Sequence, residues 1–244
     1  MRKHYLLKRL AMQLDSNKSA QVLSELNDSA KVLCNDLNRF EIGELYYYWG
    51  RCLYENGGYN KALYKLKTSL FLLRESSDHL LYARAKYCLG RVLLRLGRPQ
   101  DSLEIFTESF LYYKRIRKYD EIYIPLDNIA QVHFILGNLK KSIEVLKQKM
   151  DYLERINDDD EIQISNRNMA RVMLITGDFQ EAKDILDSMN PEFMDSYSKA
   201  NFLQLLGMFN TFMHDSVQAE IYLNKAKNIL NKQKIARDIE VCLE

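Results

Sequence analysis

Apolar residues recur at intervals of three and four between residues 78 and 97, which is the spacing of one face of an α-helix. Asp78 precedes this stretch and suits an N-cap, because its carboxylate can accept the free N–H groups of the first turn. Gly97 follows it and can adopt the left-handed conformation that ends many helices. The apolar positions that define the face are Leu80, Leu81, Ala85, Cys88, Leu89, Val92 and Leu93.

A second helix is predicted directly after Gly97. Pro99 suits the first turn of a helix, where its missing N–H costs no hydrogen bond. The apolar face of this helix is supplied by Leu103, Phe106, Phe110 and Leu111. The segment therefore predicts two helices joined by a short turn, and the stretch from Ile129 to Leu146 follows the same plan around Gly137.

This plan repeats along the chain at an interval of forty residues. One series consists of Gly57, Gly97, Gly137 and Gly177, and a second consists of Gly50, Gly90, Ala130 and Ala170. A third consists of Ala62, Ser102, Ser142 and Ala182. The next step shortens to thirty-seven and gives Gly207, His214 and Ala219. Three series that keep the same offsets across five units identify a repeat protein.

The second and third series contain small residues, one on each helix of a predicted pair. Small residues at facing positions let two helix axes approach closely. We therefore expect Gly90 and Ala130 to be buried at helix crossings, with small residues facing small residues across each pair.

The units resemble the tetratricopeptide repeat (TPR) family. That pattern has large, apolar and small residues in the first helix, then a small residue followed four positions later by a bulky one in the second. The matching residues are Tyr46, Trp49, Gly50, Leu53, Ala62 and Leu66 in the first unit; Leu89, Gly90, Leu93, Ser102 and Phe106 in the second; Leu126, Ile129, Ala130, His133, Ser142 and Leu146 in the third; Met169, Ala170, Met173, Ala182 and Leu186 in the fourth; and Leu203, Leu206, Gly207, Ala219 and Leu223 in the fifth. The period is forty residues instead of the usual thirty-four, and no proline closes each unit. This longer form is similar to that of kinesin light chains, Rap-type peptide-controlled regulators and sensor domains of bacterial transcription activators.

The resemblance implies an all-α fold, a right-handed α-solenoid of about five helix-turn-helix repeats with extra helices at both ends. The repeats are expected over residues 41–231. Residues 1–40 predict a helical pair that forms a degenerate repeat or a cap, and residues 232–244 predict the start of a further or capping helix. The chain is interpreted as a domain of a longer protein, and a complete small protein with a C-terminal capping helix is the alternative.

The composition agrees with long helices and short connections. The 244 residues include only nine Gly and three Pro, too few for the turns of an all-β protein. The formal net charge of +2 does not indicate a nucleic-acid or membrane-surface protein, and no window approaches the roughly 18 apolar residues of a membrane helix. Cys34, Cys52, Cys88 and Cys242 form no C-x-x-C pair, which favours free thiols that fill small apolar spaces in a reducing, cytoplasmic environment.

The sequence predicts neither an enzyme nor a cofactor or metal site. It contains no H-E-x-x-H motif, nucleophile elbow or P-loop. The acidic run from Asp158 to Glu161 lacks the alternating ligands and central glycine of a calcium loop. It precedes a predicted helix, where acidic residues favour the positive end of the helix dipole.

The resemblance also implies that the first helix of each pair lines a concave groove. The groove positions are Tyr47, Arg51 and Tyr54 in the first unit; Arg84, Tyr87, Arg91 and Arg95 in the second; Asp127, Asn128, Gln131 and Phe134 in the third; and Arg167, Asn168 and Arg171 in the fourth. Arginine forks match carboxylates, and rigid aromatic rings bind with little loss of entropy. We therefore predict that the groove binds an extended acidic segment of a protein or peptide, or of another domain of the same protein. In peptide-binding members of this subclass, asparagines at the places of Asn128 and Asn168 hold the ligand backbone, but only two of the five units have one.

Four other interpretations remain open. The groove arginines could be ordinary solvated surface, with some of them paired to acids such as Glu44 or Glu55. The groove could contact a missing domain of the same protein. The chain could be a structural scaffold that uses its convex or end surfaces to hold a multi-protein complex. A nucleic-acid binder is disfavoured, because the groove residues change type from unit to unit instead of repeating a base-reading code.

Overall fold

A computed structural model describes residues 9–10, 12, 19–34, 37–192 and 194–243. These residues contain eleven α-helices and no β-strand, which confirms the all-α fold class. The first helix of the pair predicted over residues 1–40 lies largely outside the described residues. The chain divides into two compact units, Met1–Gly137 and Asn138–Glu244.

Unit 1 contains six helices in the described residues. They are α1 (Ser19–Cys34), α2 (Arg39–Glu55), α3 (Tyr59–Leu73), α4 (His79–Arg95), α5 (Pro99–Arg115) and α6 (Tyr123–Ile135). Helices α2 and α3 pack as one pair and α4 and α5 as the next, while α2 also contacts α4 and α4 contacts α6. The first helices of successive repeats are therefore neighbours within this unit.

The helix ends follow from identifiable residues. Asn38 caps α2 by accepting the N–H groups of Phe40 and Glu41, and the Glu41 side chain accepts the N–H of Asn38 in return. Asp78 caps α4 by accepting the N–H of Leu81, as predicted. Gly97 follows α4 with a φ of 72°, a left-handed conformation that a residue with a Cβ adopts at a cost.

Each crossing within a helix pair of unit 1 brings a glycine against a bulky side chain. Gly90 is buried in α4, and the Phe106 ring of α5 occupies the space in which a Cβ would lie. Ser102 donates a hydrogen bond of 2.9 Å to the carbonyl of Gly90. The predicted approach of two small residues is therefore present, but the space left by Gly90 is filled by Phe106. Gly50 and Leu66 meet in the same way in the α2–α3 pair.

Ala130, from the second repeat series, and two cysteines are also buried in unit 1. Ala130 is buried on α6, as predicted. Cys52 and Cys88 are buried free thiols on α2 and α4. They fill apolar space in the packing of these helices.

Unit 2 contains five helices in the described residues. They are α7 (Leu139–Ile156), α8 (Asp159–Thr176), α9 (Phe179–Ser188), α10 (Ser196–Phe212) and α11 (Ser216–Leu243). Helix α8 contacts α7, α9 and α10, and α10 packs along α11. His214 occupies the place of the turn glycine in this last pair and has a φ of 60° without being glycine.

The C-terminal end differs from the sequence prediction. No separate helix begins at residue 232, because α11 continues without interruption to Leu243. The physical reason is that residues 216–244 contain neither Gly nor Pro, so no residue in this stretch favours a helix end.

Lys149 is an unexpected feature of unit 2. Its side chain is fully buried on α7, where its Nζ lies 2.9 Å from a carboxylate oxygen of Glu161 on α8. The positions forty and eighty residues earlier are Ser109 and Ser69, which are both buried and donate to backbone carbonyls of the first helix of their pair. Lys149 therefore replaces a small polar residue at a buried repeat position.

Two kinds of feature are absent from the described residues. No helix among them is both long and apolar enough to cross a membrane. No group of three or more His, Cys, Asp or Glu side chains among them is arranged to hold a metal ion.

Candidate functional site

The predicted groove residues of unit 1 lie on three neighbouring helices. Helix α2 provides Tyr47, Arg51 and Tyr54; α4 provides Arg84, Tyr87, Arg91 and Arg95; and α6 provides Asp127, Asn128, Gln131 and Phe134. Because α2 contacts α4 and α4 contacts α6, these residues come from adjoining helices. We call them the basic–aromatic surface.

Two adjoining pockets open on this surface, and both are lined by Tyr87 and Arg91. The first has a volume of about 410 Å³ and is also lined by Glu121, so we call it the Glu121 pocket. The second has a volume of about 700 Å³ and is also lined by Asn128, so we call it the Asn128 pocket. Phe134 is not among the residues that line either pocket.

Two arginines of the Glu121 pocket are paired with carboxylates. The Arg84 guanidinium donates two hydrogen bonds to Glu121, of 3.0 Å from Nε and 2.6 Å from Nη2. Arg51 Nε lies 3.1 Å from a carboxylate oxygen of Glu55, one helical turn further along α2. The hydrogen bonds to Glu121 raise the pKa of Arg84 above its ordinary value. The positive charges of these two arginines are thus largely balanced within unit 1.

Two of the predicted aromatic contacts are less exposed than expected. Tyr47 and Tyr54 are each only 8% exposed and belong to the hydrophobic core between α2, α3 and α4. Burial also raises the pKa of Tyr47 well above its ordinary value, so its hydroxyl stays protonated. These rings support the surface from beneath, and Tyr87 is the half-buried aromatic that both pockets share.

The Asn128 pocket is arranged around Tyr54. The Arg91 guanidinium lies 4.3 Å from the centroid of the Tyr54 ring and 5.8 Å from that of Tyr87. Arg95 Nε donates to the Tyr54 hydroxyl over 3.4 Å, and this hydrogen bond raises the pKa of Arg95 above its ordinary value. A guanidinium over an aromatic face is attracted by the negative face of the ring and keeps its N–H groups available at its edge.

Asn128 is held by neighbouring groups of unit 1. Its Nδ2 donates to the Tyr87 hydroxyl at 3.1 Å and to the Ile124 carbonyl at 3.4 Å. With both bonds made by the amide nitrogen, the amide oxygen is the remaining acceptor of this side chain. Asp127 and Gln131 complete the polar lining of the pocket.

The groove residues predicted in the fourth repeat lie in unit 2, all on α8. Arg167, Asn168 and Arg171 are half-buried. Arg167 lines a pocket of about 730 Å³ together with the three aspartates Asp159, Asp160 and Asp195. Hydrogen bonds from Ser198 lower the pKa of Asp195, and Arg167 adds to this effect. The surroundings of Arg167 are therefore predominantly acidic.

The repeat pattern indicates the arginines but not the partner that balances Arg84. Glu55 is predictable as a partner, because an acid four residues from Arg51 on one helix lies on the same face. Glu121 lies thirty-seven residues from Arg84 in the connection between α5 and α6, and no local spacing rule relates the two.

Comparison with known proteins defines the class of the fold. Residues 128–236, a little under half of the chain, match the family model described as the SusR N-terminal TPR domain. No curated protein sequence matches the chain.

Three solved structures illustrate the likeness. A Signal Transduction ATPase with Numerous Domains (STAND) protein with a tetratricopeptide repeat sensor, from Pyrococcus horikoshii, has a TM-score of 0.77 at 12% identity; the alignment covers 98% of this chain and 37% of that one. The Rap conjugation gene regulator of the plasmid pLS20, solved with the Phr* peptide, has a TM-score of 0.64 at 16% identity, and the alignment covers 98% of this chain and 76% of that one. A protein from Podosopora anserina described as a putative kinesin light chain with nearly identical TPR-like repeats has a TM-score of 0.65 at 15% identity, and the alignment covers 80% of this chain and 98% of that one.

These likenesses confirm the predicted fold class, an all-α repeat solenoid. Residues 128–236 match a TPR family model, and the solved structures that share the fold include TPR-like repeats, as the repeat pattern predicts. Repeats of this family generally form protein-interaction modules, and this supports a protein-binding function for the chain.

Proposed function

We propose that unit 1 binds an extended acidic segment of a protein or peptide on the basic–aromatic surface. The observation that supports this most is the pair of adjoining pockets that share Tyr87 and Arg91. Their volumes lie in the range typical of ligand sites, and their linings combine aromatic rings with guanidinium groups. Such a lining suits carboxylates in a partner that also offers apolar contacts.

The relatives support a peptide or protein as the partner. The Rap conjugation gene regulator, whose fold this chain shares, was solved with a peptide bound. The matching family model describes an N-terminal TPR domain, and the Pyrococcus horikoshii protein carries a tetratricopeptide repeat sensor. We therefore propose a regulatory or sensory module of a larger, cytoplasmic signalling or transcription-control protein.

A scaffold function is the second candidate, and a different surface supports it. Tyr64 and Phe71 on α3 and Leu111 on α5 are 67%, 61% and 55% exposed. Large apolar side chains with this exposure are suited to contact with another protein. A scaffold would use these second helices rather than the basic–aromatic surface.

The test uses the full chain and two fluorescein-labelled peptides, one of alternating Glu and Gly and one of alternating Gln and Gly. Fluorescence anisotropy should show binding of the Glu peptide alone. The affinity should fall as the ionic strength rises from about 0.1 M to about 1 M, where the Debye length shrinks from about 10 Å to about 3 Å. Equal binding of both peptides, or of neither, would refute the proposal.

A pair of variants separates the two candidate functions. Arg91→Glu reverses a charge in both pockets and should abolish binding of the Glu peptide. Tyr64→Ser with Leu111→Ser removes exposed apolar groups from the second helices and should leave that binding unchanged. If the second variant weakened binding and the first did not, the scaffold surface would be the binding surface.

A further inference from the structure

The four arginines of the basic–aromatic surface are not equivalent. Arg84 makes two hydrogen bonds to Glu121, and Arg51 is paired with Glu55. Within the described part of the chain, no carboxylate lies within ion-pairing distance of Arg91 or Arg95. The positive charge that can attract a ligand is therefore concentrated at one end of the surface.

Arg91 and Arg95 are nevertheless held in place, and the group that holds both is Tyr54. The Arg91 guanidinium stacks 4.3 Å from the centre of the Tyr54 ring, and Arg95 Nε donates to its hydroxyl. Tyr54 is itself 8% exposed and fixed in the core. A long side chain that is already ordered loses less entropy when it binds a ligand, so this pair is preorganised.

The Asn128 pocket also limits how much negative charge it accepts. Arg91, Arg95 and Asp127 all line it, so two arginines against one aspartate leave one net positive charge. Asp127 has a contact of its own, and its carboxylate still contributes its charge to the pocket. One net positive charge matches one ligand carboxylate.

We propose that Arg91 and Arg95, positioned by Tyr54, form a subsite for a single carboxylate of the bound segment. This inference rests on the proposed function and specifies which arginines of that surface recognise the acid. The carboxylate is either an acidic side chain or the C-terminus of the segment, because both present the same pair of oxygens to a guanidinium fork.

The experiment uses the full chain and three labelled peptides of equal length built from Gly and Leu. One has a central Glu and an amidated C-terminus, one has a free C-terminus and no Glu, and one has neither. Either of the first two should bind more tightly than the third, and the tighter one identifies the source of the carboxylate. If the wild-type chain discriminates among none of the three although it binds the alternating Glu peptide, the single-carboxylate subsite is refuted while the proposed function stands.

Matched variants locate the subsite. Arg91→Gln with Arg95→Gln should weaken the preferred peptide at least about tenfold, since a charge-assisted bond is among the stronger hydrogen bonds. Arg51→Gln with Arg84→Gln removes the same formal charge from the same surface and should change affinity less than about threefold. A larger loss of affinity from the second pair of substitutions than from the first would overturn the inference. Circular dichroism verifies that both variants keep their helical content.

The role of Tyr54 has its own measurement. Tyr54→Phe keeps the ring beneath Arg91 and removes the hydroxyl that Arg95 contacts, so binding should weaken less than in the double arginine variant. Part of the discrimination between the carboxylate and control peptides should remain, because Arg91 keeps its contact with the ring. If Tyr54→Phe bound the preferred peptide as tightly as the wild-type chain does, the positioning role of the hydroxyl would be wrong.

Discussion

Replacing Gly90 by Ala perturbs one helix crossing with a single added carbon. A Cβ built at Gly90 would lie 2.7 Å from both Cδ1 and Cε1 of Phe106, well inside van der Waals contact. Phe106 is fully buried, and its ring packs against Tyr87 with centroids 5.7 Å apart. The hydrogen bond from Ser102 to the Gly90 carbonyl fixes the backbone from the other helix. Neither the ring nor the backbone can therefore move away without disturbing another contact.

Two opposing contributions determine the change in the free energy of unfolding. Ala is favoured over Gly in the interior of a helix by about 1 kcal/mol, because Gly loses more conformational freedom on folding. Overpacking a dense core costs typically about 1–3 kcal/mol. We expect the second to exceed the first, so that Gly90→Ala destabilises the protein by about 1 kcal/mol. Gly90→Leu adds more atoms to the same contact and should cost more.

A double-mutant cycle in urea, followed by circular dichroism, measures the contribution of the crossing. In the Phe106→Ala background the clashing ring is absent, so adding Ala at position 90 should become stabilising by about 1 kcal/mol, as helix propensity alone requires. The change of sign is the result to look for. If Gly90→Ala raised the stability of the wild-type chain by the full helix-propensity amount, the close approach of α4 and α5 would be refuted.

Two further predictions concern buried ionisable groups. Glu161→Gln removes the carboxylate 2.9 Å from the fully buried ammonium of Lys149, which has a further contact, and should destabilise the protein by about 2 kcal/mol. Lys149→Met leaves a half-buried carboxylate that water can reach and should cost less than about 1 kcal/mol. Urea titrations of both variants measure this asymmetry, and the reverse order would contradict it. Burial raises the pKa of Cys88 to about 11 and of Cys52 to about 12, above the ordinary value of 9.0, so the folded chain keeps these protons at a pH where the unfolded chain loses them. With the other two cysteines replaced by Ser, both thiols should therefore resist iodoacetamide at pH 8 until urea unfolds the chain. Their contribution to the free energy of unfolding should decrease as the pH rises above about 9. Alkylation of the folded chain at the rate of an exposed thiol would contradict this prediction.

The helices and their turns could be predicted because each depends on residues that are close in sequence. The left-handed glycines at forty-residue intervals, the Asp78 cap and the N-terminal Pro99 act through their own backbone or the first turn of the same helix. The uninterrupted α11 is harder to predict, because the repeat pattern suggests a new element at residue 232 although no residue there ends a helix. The absence of a helix-ending residue is harder to recognise in a sequence than its presence.

The sequence predicts which positions belong to the candidate site but not how deeply each side chain is buried. The repeat register places Arg51, Arg84, Arg91 and Arg95 on neighbouring first helices. Tyr54 and Arg91 are both groove positions by register, yet Tyr54 is 8% exposed and part of the core, while Arg91 is half-buried and lines both pockets. The depth of each side chain depends on how far the neighbouring repeat overlaps the helix, and this overlap is a property of packing rather than of sequence spacing.

Glu55 and Glu121 neutralise part of the positive charge of the basic–aromatic surface. The net charge of this surface therefore could not be predicted from its arginines alone. Glu55 ends α2 and Glu121 lies in the connection between α5 and α6, so neither occupies one of the small or bulky repeat positions at which paired helices cross. Neither acid is part of the crossing of Gly90 and Phe106, so a change of residue type at either position leaves that crossing in place. The number of carboxylates that a ligand can present to this surface therefore depends on Glu55 at a helix end, on Glu121 in a connection and on Asp127 within α6. In a repeat protein of this kind, the ligand preference can change while the forty-residue pattern that defines the fold stays the same.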